Sequence, residues 1–187
     1  MKCLILADEE SPQNTLPAGP MDLILSCGDL SDFHLLRTAN HYGCRTVLAV
    51  RGNHDTTAPF PAPIIDLHRR THEVGGLRFG GFGGCYRYKP RGHHLYRQGE
   101  VEQALAPFPA VDVFLAHNSP RGIHDDIRED DAHIGFRAFG AYIARHRPRF
   151  LLHGHQHLSC RTVRDGCEVI GVYGHLLLDL SFPPQNG

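Results

Sequence analysis

The stretch Arg51-Gly52-Asn53-His54-Asp55 follows an apolar, β-branched run at residues 46–50 and breaks it with a glycine and four polar groups. Glycine permits a sharp backbone turn after a strand. Asn53 and His54 then offer an amide oxygen and an imidazole at the carboxyl end of that strand, the edge where open α/β sheets bind ligands. Taken alone, the stretch is equally consistent with a surface turn, so the other strand ends decide its meaning.

The composition is that of an ordinary soluble protein. A length of 187 residues suits one domain with its own core, and we treat residues 1–187 as a single domain. The formal net charge of −1 provides no basic field that would favour nucleic acid as a partner. No apolar run approaches the roughly 20 residues that span a bilayer. The six cysteines show no C-x-x-C pairing, so a reducing, cytoplasmic setting is expected. The sequence gives no signal for an oligomeric state.

The hydrophobic pattern predicts alternating strands and helices. Residues 1–50 indicate a β-loop-β-α-β order, with a helix that begins near the N-cap residues Ser31 and Asp32 and ends at Gly43. This order is typical of a parallel sheet and an α/β fold. The predicted strands cover residues 2–7, 21–26, 46–50, 64–67, 71–74, 77–82, 111–116, 149–152, 158–163, 167–172 and 175–180. Two further helices are predicted at 100–106 and 132–146.

Five of these strands end in side chains that can bind metal ions. The candidates are Asp8 with Glu10, Asp29, Asn53 with His54, His117, and His155 with His157. Helix capping explains any single acidic residue, but capping has no need of histidine. Carboxylate, amide and imidazole donors suit Mn²⁺, Fe²⁺ or Zn²⁺ and disfavour a structural cysteine-zinc site. Seven donors, without His54, suffice for two ions if one carboxylate bridges them, and such a pair can activate water and clamp a phosphoryl group.

These residues resemble a known family. The series Asp8…Gly28-Asp29…Gly52-Asn53-His54-Asp55…His117…Gly154-His155-Gln156-His157 is similar to the motifs of the calcineurin-like metallophosphoesterases, in the same order over residues 8–157. The resemblance is to the small bacterial single-domain type, and it implies a two-sheet β-sandwich flanked by helices in four αββα layers. It also implies a dinuclear metal-dependent phosphoesterase, in which a metal-bridging hydroxide attacks phosphorus in line.

The same resemblance assigns a role to each site residue. Asp29 would bridge both ions, Asp8 and His157 would hold the first ion, and Asn53, His117 and His155 would hold the second. His54 would act as the catalytic general acid rather than as a ligand, a role that suits the pKa of imidazole.

The first motif departs from the family pattern, because Asp8-Glu9-Glu10 replaces Asp-x-His. Glu10 would point to the same side as Asp8 in a continuing strand and could serve as the missing ligand. The alternative is that Glu10 faces solvent and that the first ion binds weakly. A hard carboxylate ligand favours Mn²⁺ or Mg²⁺. We therefore expect two divalent ions, Mn²⁺ first, with Fe²⁺, Zn²⁺ or Mg²⁺ as alternatives. The added negative charge favours phosphodiesters over dianionic phosphomonoesters.

A loop after a glycine-rich turn offers candidate substrate-binding residues. Arg87 or Lys89 could pair with a phosphate, and Tyr86 could stack on an aromatic group. The alternative is a solvated loop. The expected partner is a small phosphoester. Two other hypotheses remain open from the sequence: a non-catalytic metal-binding scaffold of the same fold, and a phosphomonoesterase or nuclease.

Overall fold

The computed structural model describes residues 1–125 and 131–181, and within them the chain forms thirteen strands and three α-helices. The strands are β1 (Lys2–Ala7), β2 (Leu23–Ser26), β3 (Val47–Ala49), β4 (Ile64–Asp66), β5 (Thr71–Val74), β6 (Leu77–Phe82), β7 (Cys85–Tyr86), β8 (Leu95–Tyr96), β9 (Val113–Ala116), β10 (Phe150–His153), β11 (Cys160–Arg164), β12 (Cys167–Gly171) and β13 (Gly174–Asp179). The helices are α1 (Asp32–Tyr42), α2 (Gln98–Leu105) and α3 (Arg137–His146).

Two main sheets carry most of these strands. The five-stranded sheet has the order β13-β1-β2-β3-β4, and the six-stranded sheet has the order β11-β12-β10-β9-β6-β5. Strands β1 to β4 are parallel to one another, as are β6, β9, β10 and β12. Three strands run antiparallel to their neighbours: β5, β11 and β13. Parallel strands bring their carboxyl ends to one edge of a sheet. The predicted ligands lie in the loops that follow these ends.

The sheets pack face to face, with helices on both outer sides. A central core of side chains such as Ile5, Leu25, Phe79 and Leu115 lies between them. The outer face of the five-stranded sheet packs against α1, and the outer face of the six-stranded sheet packs against α2 and α3. The predicted α/β sandwich with flanking helices in four layers is therefore confirmed.

Helix α1 follows its sequence signals closely. The Ser31 side chain accepts a hydrogen bond from the backbone N–H of His34 at 3.1 Å, which satisfies one of the free donors at the helix start. At the other end Gly43 takes a left-handed backbone with φ of 64°. Local chemistry thus defines both ends of this helix.

Helix α3 begins five residues later than the sequence predicts. The predicted start at residue 132 was wrong because residues before the helix are used elsewhere: the backbone carbonyls of Ala132 and Ile134 accept hydrogen bonds from the side chains of His155 and Asn118. Phe136 has an extended backbone, with φ of −93° and ψ of 125°, and it forms an isolated bridge with Pro120. Side chains of the predicted site therefore compete with the helix for this segment.

Smaller differences occur elsewhere. Helix α2 begins at Gln98, two residues before the predicted start. The short parallel pair of β7 and β8 was not predicted, since strands of two residues carry no measurable periodicity. No helix within the described residues is both long enough and apolar enough to cross a membrane.

Candidate metal centre

The predicted ligands follow strands of both sheets. Asp8, Asp29 and Asn53 follow β1, β2 and β3 of the five-stranded sheet, whereas the histidines follow β9 and β10 of the six-stranded sheet. The edges meet: one ligand atom from each of Asp29, His117 and His155 lies within 4.8 Å of the other two. The sandwich therefore brings residues from distant parts of the sequence into one cluster.

His117 has the strongest geometric case for binding a cation. It is fully buried, and its Nδ1 lies 2.8 Å from the carbonyl oxygen of Cys27, so Nδ1 must carry the proton that this acceptor needs. Its Nε2 faces two more oxygens, Asn53 Oδ1 at 3.0 Å and Asp29 Oδ2 at 3.4 Å. A neutral ring would point its lone pair at two oxygens, so a proton or a metal cation has to occupy this position.

The charges around His117 agree with that conclusion. Burial opposes the charged ring, yet the Asp29 carboxylate raises the pKa of His117 to about 9. Burial likewise opposes the carboxylate, but His117 and a hydrogen bond from the backbone N–H of His54 lower the pKa of Asp29 to about 2. In the metal-free protein a proton therefore stays between these groups, and a divalent cation could replace it.

His155 is held with one nitrogen free for a ligand. Its Nε2 lies 2.9 Å from the carbonyl oxygen of Ala132, so Nε2 donates and Nδ1 carries the lone pair. Burial and the neighbouring His117 lower the pKa of His155 to about 3, so the ring is neutral and competent to bind metal. A backbone carbonyl that fixes the tautomer of a ligating histidine is a recurring feature of metal sites. We call Asp29, Asn53, His117 and His155 the inner half of the site.

The outer half consists of Asp8, Glu10 and His157. Both carboxylate oxygens of Asp8 accept the backbone N–H of His155, at 3.0 and 2.8 Å. Burial raises the pKa of Asp8 to about 6, and the Asp29 carboxylate acts in the same direction. His117 and His157 oppose this shift. A cation placed between the two carboxylates would remove this repulsion. His157 is exposed, and its ring lies 5.3 Å from that of Tyr173.

Glu10 is not part of the three-residue cluster. Its side chain is exposed, and Oε1 accepts the backbone N–H of Ser31 at 3.0 Å, beside the start of α1. Hydrogen bonds from Ser31 lower the pKa of the carboxyl, so the group is ionised at neutral pH. In this arrangement Glu10 contributes negative charge near the site, and its role as a ligand remains a prediction.

Two glycines leave room for the ligands. A Cβ on Gly52 would overlap the Asp29 carboxylate and would lie 2.6 Å from His117 Cε1. A Cβ on Gly154 would lie 2.7 Å from Asp8 Oδ2. Real Cβ atoms do not approach so closely, so both glycines are required by the space that the ligands occupy.

Asp55 joins the two loops that supply Asp29 and Asn53. Its Oδ2 accepts the backbone N–H groups of Gly52 at 2.7 Å and Asp29 at 2.9 Å, while Oδ1 accepts that of Leu30 at 3.0 Å. The exposed side chain of His54 lies beside this junction and borders a cavity of about 360 Å³. The loops are thus fixed by hydrogen bonds, and His54 faces open space.

Four of the candidate ligands have left-handed backbones. Asp8, Asp29, His155 and His157 have φ angles of 63°, 55°, 65° and 48°. Such values are uncommon for residues other than glycine, and they concentrate at functional sites. These four residues therefore lie in sharp turns that follow β1, β2 and β10.

The candidate substrate residues Tyr86, Arg87 and Lys89 are not part of the cluster. Tyr86 belongs to β7, and Arg87 Nη2 donates to the carbonyl oxygen of Leu95 at 2.8 Å. Lys89 is exposed, with its ammonium 4.8 Å from the ring centre of Tyr88. The same loop contacts the segment after His54, since His94 Nε2 lies 3.0 Å from the carbonyl oxygen of Thr56. Their contact with substrate stays a prediction.

Sequence reasoning missed residues that position the ligands. The carbonyl of Ala132 cannot be identified from sequence, because every residue has one. Gln156 could have been identified, because it stands between the candidate ligands His155 and His157 and its side-chain amide can both donate and accept hydrogen bonds. Its Nε2 has three acceptors, Asn118 Oδ1 at 3.2 Å, Ser119 Oγ at 3.0 Å and the carbonyl of His133 at 3.0 Å. Gln156 therefore holds the segment that contains Ala132 against the site.

Comparisons with known proteins identify the superfamily and the fold of this chain. A family model described as the calcineurin-like phosphoesterase superfamily domain matches residues 12–174, a range that includes six of the eight candidate metal-binding and catalytic residues but begins after Asp8 and Glu10. One solved structure aligns with 96% of this chain and 95% of its own, with a TM-score of 0.65 and 17% identity. The protein TT1561 of Thermus thermophilus aligns over 92% of this chain and 89% of its own, with a TM-score of 0.57 and 15% identity.

A third solved structure is that of a candidate 5′-nucleotidase from Staphylococcus aureus in complex with alpha-ketoglutarate. It has a TM-score of 0.55 and 12% identity, and the alignment covers 96% of this chain but 51% of that one. The chain matches no curated protein sequence. At these identities the solved structures support the fold alone, whereas the family model covers most of the chain. The chain therefore belongs to the calcineurin-like phosphoesterase superfamily.

Proposed function

We propose that this chain is a phosphoesterase that depends on two divalent metal ions and hydrolyses phosphodiesters. The observation that carries the proposal is the convergence of ligand atoms of Asp29, His117 and His155 within 4.8 Å of one another. A backbone carbonyl engages one nitrogen of each histidine ring and leaves the other nitrogen able to bind a cation. Donors of this kind suit Mn²⁺ first, and also Fe²⁺ or Zn²⁺.

The ligands divide between two ion positions. Asn53, His117 and His155 would hold one ion, Asp8 and His157 would hold the other, and Asp29 would be shared. Two bound divalent ions would supply an activated water and neutralise the phosphoryl oxygens during in-line displacement. The chain's own residues would position the ester and supply a proton to the group that leaves.

His54 is the candidate for that proton. Its backbone N–H is anchored on Asp29 Oδ1 at 2.8 Å, and its side chain is exposed beside the cavity of about 360 Å³. An imidazole can donate a proton to the leaving oxygen at neutral pH. The cavity offers space for the leaving group next to the proton donor.

A preference for diesters is supported by charge. Glu10 is ionised and accepts the backbone N–H of Ser31, a residue that lines the same cavity. A nearby carboxylate repels a dianionic phosphomonoester more strongly than a monoanionic diester. We therefore expect turnover of bis(p-nitrophenyl) phosphate to exceed that of p-nitrophenyl phosphate.

The test combines activity with metal content. Mn²⁺-loaded protein should hydrolyse bis(p-nitrophenyl) phosphate, and His54→Ala should abolish turnover while elemental analysis shows unchanged metal. His41→Ala is the matched control, because His41 is an exposed histidine in the last turn of α1. Two bound ions without turnover on a broad panel of phosphoesters would contradict the proposal.

A non-catalytic metal-binding scaffold of the same fold is the second candidate. The observation that favours it is the position of Glu10 beside Ser31, which leaves the outer half with fewer donors. Such a protein would bind one ion in the inner half and would show no metal-dependent hydrolysis. Elemental analysis together with the phosphoester panel separates the two candidates.

A further inference from the structure

Two exposed apolar side chains adjoin the metal centre. Large hydrophobic side chains that are exposed in the described part of the chain number five: Phe33, Leu158, Val163, Tyr173 and Leu177. Tyr173 is 42% exposed, and its ring centre lies 5.3 Å from that of His157. Leu158 is 49% exposed and directly follows His157. Both side chains therefore adjoin His157, Tyr173 through its ring and Leu158 along the chain.

The sheet order places Tyr173 and His54 on opposite sides of the ligands. Gly174 pairs with Ala7 in the register of β13 and β1, so Tyr173 and Asp8 both adjoin this last pair, at the same end of the sheet. The order β13-β1-β2-β3 then places Asp8 and Asp29 between Tyr173 and His54. With about 4.8 Å between neighbouring strands, the distance from β13 to β3 is about 14 Å. A phosphate at the ligands would have one substituent towards His54 and the other towards Tyr173.

Aromatic rings form a continuous series from the buried cluster to this surface. The ring centres of His155 and His133 are 5.0 Å apart, those of His133 and His157 are 6.3 Å apart, and Tyr173 follows at 5.3 Å. Flat aromatic groups bind such surfaces through offset or edge-to-face contacts. Tyrosine suits the outermost position, because its ring is apolar and its hydroxyl can remain in water.

We propose that Tyr173, with Leu158, forms the subsite for the substituent that stays on phosphorus, and that it selects phosphodiesters whose retained substituent carries a flat aromatic group. This inference rests on the proposed phosphodiesterase function. It adds a substrate class, aryl or nucleobase-bearing diesters, and a specificity-determining residue on the side opposite the proton donor.

The kinetic test uses two substrates with one leaving group. The p-nitrophenyl ester of thymidine 5′-phosphate retains a base after cleavage, whereas p-nitrophenyl methyl phosphate retains a methyl group. The base-bearing ester should have a KM about 10-fold lower, as a single stacked base provides. Tyr173→Ala should remove the difference, and Tyr173→Phe should preserve it. Leu177→Ala is the matched control, since Leu177 is 44% exposed on β13 and should change neither KM.

A second measurement does not depend on turnover. The chain contains no tryptophan, so Tyr173→Trp introduces a single reporter. Thymidine 5′-phosphate should quench its fluorescence in the metal-loaded protein, and methyl phosphate at equal concentration should not. Hydrolysis of both esters with equal KM, insensitive to Tyr173→Ala, would overturn the subsite and leave the phosphodiesterase proposal intact. Quenching without hydrolysis of either ester would instead overturn the proposed function and support an aromatic binding site. If thymidine 5′-phosphate quenches the fluorescence no more than methyl phosphate does, the aromatic site is refuted.

Discussion

The inner and outer halves of the metal centre differ in how firmly the protein holds them. His117, His155 and Asn53 of the inner half are exposed by 0%, 5% and 8%, and their polar atoms are fixed by hydrogen bonds to the backbone or to one another. His157 and Glu10 of the outer half are exposed. A site prearranged before metal binding loses less entropy on binding, so the inner half should bind its ion more tightly.

The largest expected effect separates the two halves directly. His117→Ala should lose one equivalent of metal and at least about 100-fold of activity, because it removes a buried ligand together with the contacts of its Nε2 to Asp29 and Asn53. His157→Ala should lose metal only at low Mn²⁺, with activity returning as Mn²⁺ is raised. Metal titration followed by elemental analysis measures both. Equal and irreversible loss in the two variants would contradict the distinction between the halves.

The pH dependence of the metal-free protein tests the charge assignments of the inner half. The pKa of His117 is raised from 6.5 to about 9, so its contribution to stability is complete below pH 6.5 and disappears as pH rises through 9. The pKa of His155 is lowered to about 3, so its contribution is complete above pH 6.5 and is lost as pH falls towards 3. Together these two residues should give a maximum in stability near pH 6.5.

Urea unfolding in the presence of a chelator at pH 5, 6.5 and 9 measures this profile. His117→Gln should flatten the alkaline side, and loading with Mn²⁺ should do the same because the bound imidazole is already neutral. An alkaline loss of stability that persists in His117→Gln would assign the titration to another group.

The smallest effect concerns the outer half. Glu10→His places the family's usual ligand after Asp8 and removes a negative charge, so it should tighten the first ion by about 10-fold and raise turnover of p-nitrophenyl phosphate relative to bis(p-nitrophenyl) phosphate. Glu10→Gln is the control, because it removes the charge but keeps an acceptor for the Ser31 N–H. If neither variant moves the ratio of activities, charge at Glu10 does not set the diester preference.

Much of this architecture could be predicted because its signals are local. Ser31 and Gly43 define α1 through their own chemistry, and the apolar runs before Asp8, Asp29 and His117 identify buried strands. The assignment of strands to two sheets could not be predicted, since it depends on pairings such as β6 with β9 across more than 30 residues. Hydrophobic periodicity indicates which residues of a strand are buried, but it does not indicate which strands pair with one another.

The site was predictable in its residue types and less so in its support. Histidine and carboxylate at strand ends carry a chemical signal, whereas the carbonyl of Ala132 carries none. The predicted start of α3 was wrong for the same reason. Carbonyl groups in segment 132–135 accept hydrogen bonds from His155 and Gln156, so the segment is not part of the helix. The alternation of apolar and polar residues gives no indication that a backbone carbonyl is used by a distant histidine.

The left-handed backbones of Asp8, Asp29, His155 and His157 imply a conflict between durability and activity. Each costs about 1 kcal/mol relative to an ordinary conformation, and glycine would remove that cost. A laboratory selection for heat resistance alone would therefore tend to replace these residues and erode the metal centre. A selection that retains metal binding would have to find its stability elsewhere in the sandwich.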